Sequence, residues 1–212
     1  MSAVLTEMTP GFRDAVHGAQ QTFRTLLDAM SRPGRMESLP ESAIEGIVPP
    51  ESALAGRPMS VGTAALMLTL LDAETTVRLA GSLVSSAALS YLRFHTGVRS
   101  AWLEELAAFT AARAADVDAS LWTRLDLGSD EVPQRGATLV VEVDDLGTGT
   151  RLWLRGPGIE SVQPLAVAGL PRDFWLWRTR LQSLLPRGID LVLVCGARIA
   201  AIPRSTRITL ET

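Results

Sequence analysis

The sequence contains no lysine, and all 20 of its basic side chains are arginine. A protein without lysine cannot form a Schiff base with pyridoxal phosphate or with a carbonyl substrate, because that linkage needs a lysine amine. It also cannot be a P-loop nucleotidase, since that motif needs a lysine to contact the phosphates. The absence of lysine therefore excludes two large classes of enzyme.

Cysteine and histidine are also scarce. Cys195 is the single cysteine, so the chain cannot form an internal disulfide, which is typical of a reducing cytoplasm. It ends an apolar run with no basic neighbour, and we expect it to be an inert core residue. The two histidines, His17 and His95, fall in no metal-ligand spacing. We therefore expect no metal site within this chain alone.

Long apolar runs and an excess of positive charge are missing as well. No run approaches the length of about 18 residues that a membrane-spanning helix needs. The first residues also lack a basic stretch followed by an apolar one, so we expect neither a membrane contact nor a secretory signal. The net charge of -3 argues against a nucleic-acid partner. These features together predict a cytoplasmic protein.

The residues that are present favour one folded domain. With 212 residues, of which 47% are hydrophobic, the chain can bury a sizeable core. Helical and strand patterns alternate along it, which predicts an α/β fold with a mixed β-sheet covered by helices. We expect residues 1–15 to be a loosely held N-terminus and residues 16–212 to be a single α/β domain.

The clearest helical pattern lies between residues 16 and 31. Four large apolar side chains recur at i, i+3, i+4 and i+7, namely Phe23, Leu26, Leu27 and Met30. This spacing places them on one stripe of a helix, and we expect that stripe to be buried. Pro33 cannot continue the helix. The turn that follows is the first candidate for a functional site.

Several other elements follow from local patterns. Ser60 is a candidate N-cap for a buried helix that ends near Leu71, and Ser82 for a second helix that ends near Phe94. Residues 137–143, which follow Gly136, and residues 151–155 predict two strands, which the glycines between them would join as a hairpin. Further predictions are a helix after Pro171 and strands over residues 189–195, 199–203 and 207–210.

Two groups of side chains could carry chemistry. Residues 203–207 place two guanidiniums and two hydroxyls just after a strand, with Arg32 and Arg35 available from another loop. Arginine binds phosphate oxygens in a bidentate manner, so this segment is either an anion site or a solvated strand end. His95 stands at a predicted helix end, where it either satisfies the last carbonyls or has a ligand or proton-transfer role.

Six blocks of the sequence, in the same order, resemble the H subunit of the bacterial carbon–phosphorus lyase system. They are FR-x-LL-x-AMS-x-PG at residues 23–34, LRFHT at 92–96, GATL at 136–139, GPGI at 156–159, GIDL at 188–191, and CG at 195–196 with IPR-x-T at 202–206. The blocks span most of the chain from about residue 20 to its last residue.

The resemblance implies a cytoplasmic protein used in phosphonate catabolism under phosphate starvation. Such subunits form homodimers when isolated and assemble with G, I and J subunits into a core complex. The complex acts as a transferase that displaces adenine from ATP with an alkylphosphonate, which gives a ribose 1-phosphonate 5-triphosphate. The family fold is similar to that of pyridoxal-phosphate-dependent transferases without the cofactor.

The resemblance transfers no catalytic residue, and we expect the isolated chain to be inactive and to bind no cofactor or metal. The residue chemistry and the resemblance together give a candidate anion or interface site, which comprises Arg32, Gly34, Arg35, His95, Arg204, Ser205 and Thr206. Of these, His95, Arg204 and Thr206 match the family pattern, whereas relatives can carry an acidic residue at position 32. Two alternatives stay open, an independent anion-binding domain and a structural scaffold without substrate contact. The scaffold hypothesis draws on Trp175 and Leu176, which lie off the predicted helical stripe.

Overall fold

Two β-sheets organise the chain in the computed structural model, which describes residues 8–51, 58–102 and 105–211. The larger sheet has seven strands. In spatial order they are β1 (Met36–Ser38), β9 (Arg198–Ile202), β8 (Asp190–Cys195), β5 (Thr138–Glu142), β4 (Phe109–Arg113), β2 (Thr76–Leu79) and β3 (Arg99–Ser100). The β1–β9 and β9–β8 pairs are antiparallel and the other pairs are parallel. The predicted mixed sheet is therefore confirmed.

The second sheet is antiparallel and has three strands. Its order is β10 (Arg207–Leu210), β6 (Asp145–Arg155) and β7 (Gln163–Ala168). The α-helices in the described residues are α1 (Ala15–Ser31), α2 (Glu41–Ile44), α3 (Val61–Leu70), α4 (Ser86–Thr96), α5 (Ala119–Trp122) and α6 (Arg172–Arg180). Short 3₁₀ turns cover Gly81–Leu83, Ala114–Asp116, Pro133–Arg135 and Leu181–Leu184.

The seven-stranded sheet is the middle layer of the molecule. Successive side chains of a strand point to opposite faces, and β5 shows this clearly. Val140 faces a core formed with α1, α3 and α4, whereas Leu139 and Val141 face a second core formed with β6, β7 and α6. Both faces of the sheet are thus covered. The likeness to pyridoxal-phosphate-dependent transferases stays a prediction.

Several elements match their sequence patterns closely. The Ser60 hydroxyl accepts the Thr63 N–H at 3.1 Å, so Ser60 is the N-cap of α3, and this helix is buried as predicted. The α1 helix begins at Ala15, near the predicted domain boundary. Residues 1–7 lie outside the described part of the chain, so the loosely held N-terminus stays a prediction. Among the described residues, none of the helices combines the length and apolarity needed to cross a membrane.

The predicted hairpin between residues 137–143 and 151–155 is wrong. Strand β5 lies between β4 and β8 in the large sheet, whereas β6 pairs with β7 and β10 in the small one. The glycines at 147 and 149 belong to β6 itself, where the register shifts between Leu146 and Thr150. The physical reason is burial: β5 is apolar on both faces, which suits a central parallel strand, whereas β6 keeps one face in solvent.

The predicted N-cap of α4 is also wrong. Ser85 caps this helix by accepting the Ala88 N–H at 2.9 Å. Ser82 instead lies in a 3₁₀ turn, and its hydroxyl donates to Asp116 at 2.6 Å. Both serines precede apolar residues, so the local pattern did not distinguish them. The competing contact with Asp116, 34 residues away, decided between them.

The predicted buried stripe of α1 is only partly correct. Leu26 is buried, but Phe23 is 45% exposed and Leu27 is 50% exposed. The buried face consists instead of Gly18, Thr22, Leu26 and Ala29. Small residues on this face let the helix approach its neighbours closely, since a Cβ on Gly18 would lie 3.2 Å from the carbonyl oxygen of Ala43. Close backbone packing thus set the orientation of α1.

The hypothesis that Trp175, which lies off the predicted stripe, belongs to a partner surface is wrong as well. Trp175 is fully buried, and its ring makes an edge contact with Phe174 at a centroid distance of 5.0 Å. Phe174, Trp175 and Leu181 all lie in the core that α6 shares with both sheets, so the buried arc of this helix is wider than one stripe. Trp175 therefore gives no support to the scaffold hypothesis, whereas Leu176 is 38% exposed.

Candidate functional site

The turn after α1 is fixed between the two sheets. Gly34 has a positive φ of 80°, and its N–H donates to the Ala201 carbonyl of β9 at 2.9 Å. A Cβ on Gly34 would lie only 2.4 Å from Cδ1 of Leu154 in β6. Glycine is thus needed here both for the left-handed backbone and for the close approach. The turn holds its two arginines at a defined position beside the small sheet.

A surface groove runs along this turn. A cavity of about 460 Å³ lies between Gly34–Met36 and strands β6 and β7, and a second of about 260 Å³ lies beside Arg32 and the loop over residues 158–163. Arg35 and Gln163 line both cavities. We call these two cavities together the Arg35 groove. Three of the seven predicted site residues, Arg32, Gly34 and Arg35, therefore lie in one place.

The charged groups of the Arg35 groove remain accessible. Arg32 pairs with Asp28 at 2.7 Å and Arg35 pairs with Glu37 at 3.3 Å, yet the two arginine side chains are 45% and 57% exposed. Such exposed pairs contribute little to stability and exchange readily for another anion. The groove can therefore present two guanidiniums to an anionic group or to an acidic partner. Its lining residues contain no nucleophile paired with a general base.

Arg204 lies in a different environment from Arg32 and Arg35. Asp190, the first residue of β8, accepts hydrogen bonds from the Arg204 backbone N–H at 2.8 Å and from its Nη2 at 2.6 Å. The same guanidinium donates to the carbonyls of Pro133 and Gly136. It therefore joins the start of β8 to the segment before β5. Three of the sequence blocks named above, at residues 136–139, 188–191 and 202–206, therefore contact one another through this side chain.

Ser205 and Thr206 form the turn between β9 and β10. The Thr206 N–H donates to the Pro203 carbonyl at 2.9 Å, and the Thr206 side chain is buried. Gly156 lies against this turn, because a Cβ on it would be 3.1 Å from the Ser205 carbonyl oxygen. None of the contacts found among the described residues joins Ser205 or Thr206 to Arg32 or Arg35. The proposed anion role of these two hydroxyl residues stays a prediction.

Arg178 is a buried cation that the sequence reasoning missed. It is 1% exposed, and its Nη2 donates to the Pro203 carbonyl at 2.8 Å. Burial lowers the pKa of Arg178 to about 10; attraction to Asp190 opposes this shift, and repulsion from Arg204 adds to it. Helical spacing in the sequence could have revealed this burial. Arg178 lies four residues after Phe174 and three before Leu181, which places it on the buried side of α6.

His95 is remote from the Arg35 groove. It lies in the last turn of α4, where its Nε2 is 3.0 Å from the Thr9 carbonyl oxygen and its ring makes an edge contact with Tyr91. Gly97, in the left-handed conformation, ends the helix by donating its N–H to the Arg93 carbonyl. The interpretation of His95 as a cap for the last carbonyls is therefore wrong. Its contact with Thr9 fastens the segment before α1 to α4.

A second polar cluster that the sequence did not reveal lies where β4 and β5 end. Arg113 and Glu142 form an ion pair of 3.2 Å, and both side chains are more than 90% buried. Glu142 also accepts the Ser60 N–H at 2.6 Å, and Arg113 donates to the Ser82 hydroxyl at 2.9 Å. Carboxyl ends of parallel strands often hold ligands. Here the polar groups bind one another, which fixes the start of α3.

Metal chemistry finds no support in the described residues. Within that part of the chain, no group of three or more histidine, cysteine, aspartate and glutamate side chains is clustered so as to hold an ion. Cys195 is half-buried, and its sulfur lies 3.6 Å both from the Asp144 carbonyl oxygen and from Nη2 of Arg198. It is therefore less enclosed than the core residue we expected.

Comparison with known proteins gives a consistent result. The family model described as "Bacterial phosphonate metabolism protein (PhnH)" matches residues 10–209. A protein of Rhizobium meliloti (strain 1021), named alpha-D-ribose 1-methylphosphonate 5-triphosphate synthase subunit PhnH, is 37% identical over 203 residues, which are 94% of each chain. A protein of Stutzerimonas stutzeri, named putative C-P lyase subunit protein HtxG, is 36% identical over 192 residues, which are 91% of this chain and 86% of that protein.

Proposed function

This chain belongs to the family of bacterial phosphonate metabolism proteins (PhnH), and from that membership we propose that it acts as a non-autonomous subunit of a carbon–phosphorus lyase complex. The observation that carries this proposal is the match over 94% of both chains to a relative that is named a synthase subunit. The exposed guanidiniums of the Arg35 groove, without a nucleophile and base beside them, fit a chain that depends on partners for its chemistry.

In the finer form of the proposal, the complex displaces adenine from ATP with an alkylphosphonate and gives a ribose 1-phosphonate 5-triphosphate. The chain works there with G, I and J subunits, in the cytoplasm, during phosphate starvation, and forms a homodimer when isolated. The Arg35 groove is the part that contacts an anionic group, either of the substrate or of a partner. Arginine suits both roles because its planar guanidinium binds phosphate and carboxylate oxygens in a bidentate manner.

Growth and turnover test the proposal at two levels. Deleting the coding gene from the native host should abolish growth on methylphosphonate as sole phosphorus source and leave growth on phosphate unchanged. The purified chain alone should release no adenine from ATP and methylphosphonate, whereas the complex copurified from the host should release it. Unimpaired growth of the deletion strain, or robust turnover by the isolated chain, would contradict the proposal.

The groove is tested separately with Arg35→Gln, which keeps a polar side chain and removes the charge. We expect the variant to copurify with its partners but to release adenine more slowly, by about 10-fold for the loss of one charged hydrogen bond. Arg124→Gln, an exposed arginine after α5 and outside the groove, is the matched control and should be unaffected. Loss of copurification would instead assign Arg35 to a subunit interface.

The scaffold alternative is favoured by one observation, the exposed apolar residues of α1. Val16, Phe23 and Leu27 are 65%, 45% and 50% exposed. Such residues on one helix are typical of a face that packs against another protein. If Arg35→Gln kept full activity, this alternative would replace the proposed substrate contact. Heat released on mixing the isolated chain with ATP or methylphosphonate would support the other alternative hypothesis, an independent anion-binding domain.

A further inference from the structure

The outer face of the small sheet holds two arginines that face each other. In the β6–β10 pairing Arg155 lies directly opposite Arg207, and both side chains are exposed. Among the described residues, none of the ion pairs or hydrogen bonds found involves either guanidinium. Directly opposite side chains have Cβ atoms about 4.5–5.5 Å apart, and like charges at that distance weaken the pairing of the strands.

The rest of this face is arranged differently. Arg151, four residues before Arg155, pairs with Glu211 at 3.7 Å, and the Glu211 N–H donates to the Arg151 carbonyl. Trp153 lies between the two arginines of β6 and is 40% exposed, with Thr209 of β10 as its cross-strand neighbour. On this face Arg151 therefore has a carboxylate partner, whereas Arg155 and Arg207 have none in the described part of the chain. An aromatic side chain borders that pair.

We propose that Arg155 and Arg207 form a binding site for a doubly charged oxyanion, of the kind presented by a phosphoryl group. Each guanidinium offers parallel N–H donors that match two oxygens of a tetrahedral anion. An anion between the two side chains replaces their repulsion with two attractive contacts. The two arginines lie on the outer face of the small sheet and line neither cavity of the Arg35 groove, although Arg151 and Trp153 of the same face do line it. The site does not depend on the function proposed above.

Thermal unfolding at low ionic strength tests this site. Without an anion the arginine pair should lower the Tm, and with a bound anion it should raise the Tm. In a buffer without phosphate or sulfate, Arg207→Gln should raise the Tm by about 1–2 °C, since it removes a repulsion. Added inorganic phosphate should raise the Tm of the wild type saturably and leave that of the variant almost unchanged. Sodium chloride at the same ionic strength should not reproduce the rise, which separates binding from screening.

Two further variants complete the experiment. Arg207→Glu places a carboxylate opposite Arg155, so it should raise the Tm without phosphate and abolish the response to phosphate. Arg124→Gln, which removes an exposed arginine outside both this site and the Arg35 groove, is the matched control, and it should gain no stability and keep the phosphate response. Equal phosphate shifts in the wild type and in both Arg207 variants would overturn the proposal, as would an equal shift with chloride.

Discussion

Gly34 is the residue on which the position of the candidate groove depends. Its φ of 80° disfavours any side chain, and the space where a Cβ would lie is already occupied by the buried Leu154. A left-handed backbone costs a non-glycine residue about 1–2 kcal/mol, and overpacking a core costs about 1–3 kcal/mol more. Backbone conformation and core packing therefore both disfavour a side chain at position 34.

We predict that Gly34→Ala lowers the free energy of unfolding by about 2–5 kcal/mol, as measured by urea denaturation. Gly196→Ala is the matched control, because Gly196 also has a positive φ, of 61°, but has open space around it. That control should lose only the conformational part, about 1–2 kcal/mol. Equal losses for the two variants would show that the contact with Leu154 is unimportant.

Arg204 was singled out from the sequence as an anion ligand, and its surroundings suggest a structural role. We predict that Arg204→Ala lowers the free energy of unfolding by about 2–4 kcal/mol, because it leaves the partly buried carboxylate of Asp190 without its cation. Arg204→Lys should recover part of the loss, since an ammonium cannot reach both Asp190 and two carbonyls.

A double-mutant cycle with Asp190→Asn distinguishes the two roles of Arg204. If the pair stabilises the fold, the double variant should lose less than the sum of the single losses. If the Arg204 variants instead keep their stability and lose activity in the assembled complex, Arg204 contacts an anion as the sequence hypothesis held. The urea midpoint and the rate of adenine release measure the two effects separately.

At the scale of elements, an ion pair lies at the β3 edge of the large sheet. Arg99 donates two hydrogen bonds to Glu105, of 2.7 and 2.6 Å, and the Trp102 N–H donates a third of 3.1 Å. These bonds, with the Arg99 bonds as the largest cause, lower the pKa of Glu105 to about 2 from the usual 4.5. A carboxyl group whose pKa is lowered by folding stabilises the folded state above its unfolded pKa.

We therefore predict that the β3 edge loosens as the pH falls from 4.5 towards 2. The Ala101 N–H, which donates to the Val77 carbonyl at 2.9 Å, reports on this edge through its hydrogen exchange. Above pH 4.5 the wild type should protect this amide better than Glu105→Gln does, and near pH 2 the two should be alike. A difference independent of pH would exclude the ionised carboxylate as the cause.

At the scale of the whole molecule, the exposed apolar residues of α1 bear on assembly. Phe23 and Leu27 are four residues apart on the surface, and Val16 lies seven residues before Phe23. This spacing follows the repeat of helices that pack side by side. We predict that Phe23→Ser combined with Leu27→Ser weakens association, either with a second copy or with partner subunits, and leaves the fold intact.

Light scattering after size exclusion and copurification from the host measure that effect. Val84→Ser is the control, because Val84 is similarly exposed, at 43%, but lies before α4. The double variant should shift the isolated chain towards monomer or reduce partner recovery by about 10-fold, the equivalent of about 1.4 kcal/mol. Unchanged mass and recovery would exclude this face of α1 as an interface.

The sequence determined the features that depend on neighbouring residues. The Ser60 cap, the turn that ends α1 at Pro33 and Gly34, and the apolar β8 all follow from local chemistry, and each was predicted correctly. The absence of lysine likewise excluded two enzyme classes without any knowledge of the fold. The order of the six blocks identified the family, which the matched relatives confirm.

Tertiary structure decided everything that depends on residues distant in the chain. It placed β5 and β6 in different sheets, chose Ser85 over Ser82 as a cap, and turned Phe23 outwards. It also paired Arg204 with Asp190 and placed Arg155 opposite Arg207. The physical reason is that periodicity shows which residues share a face, whereas burial and charge pairing depend on what that face meets.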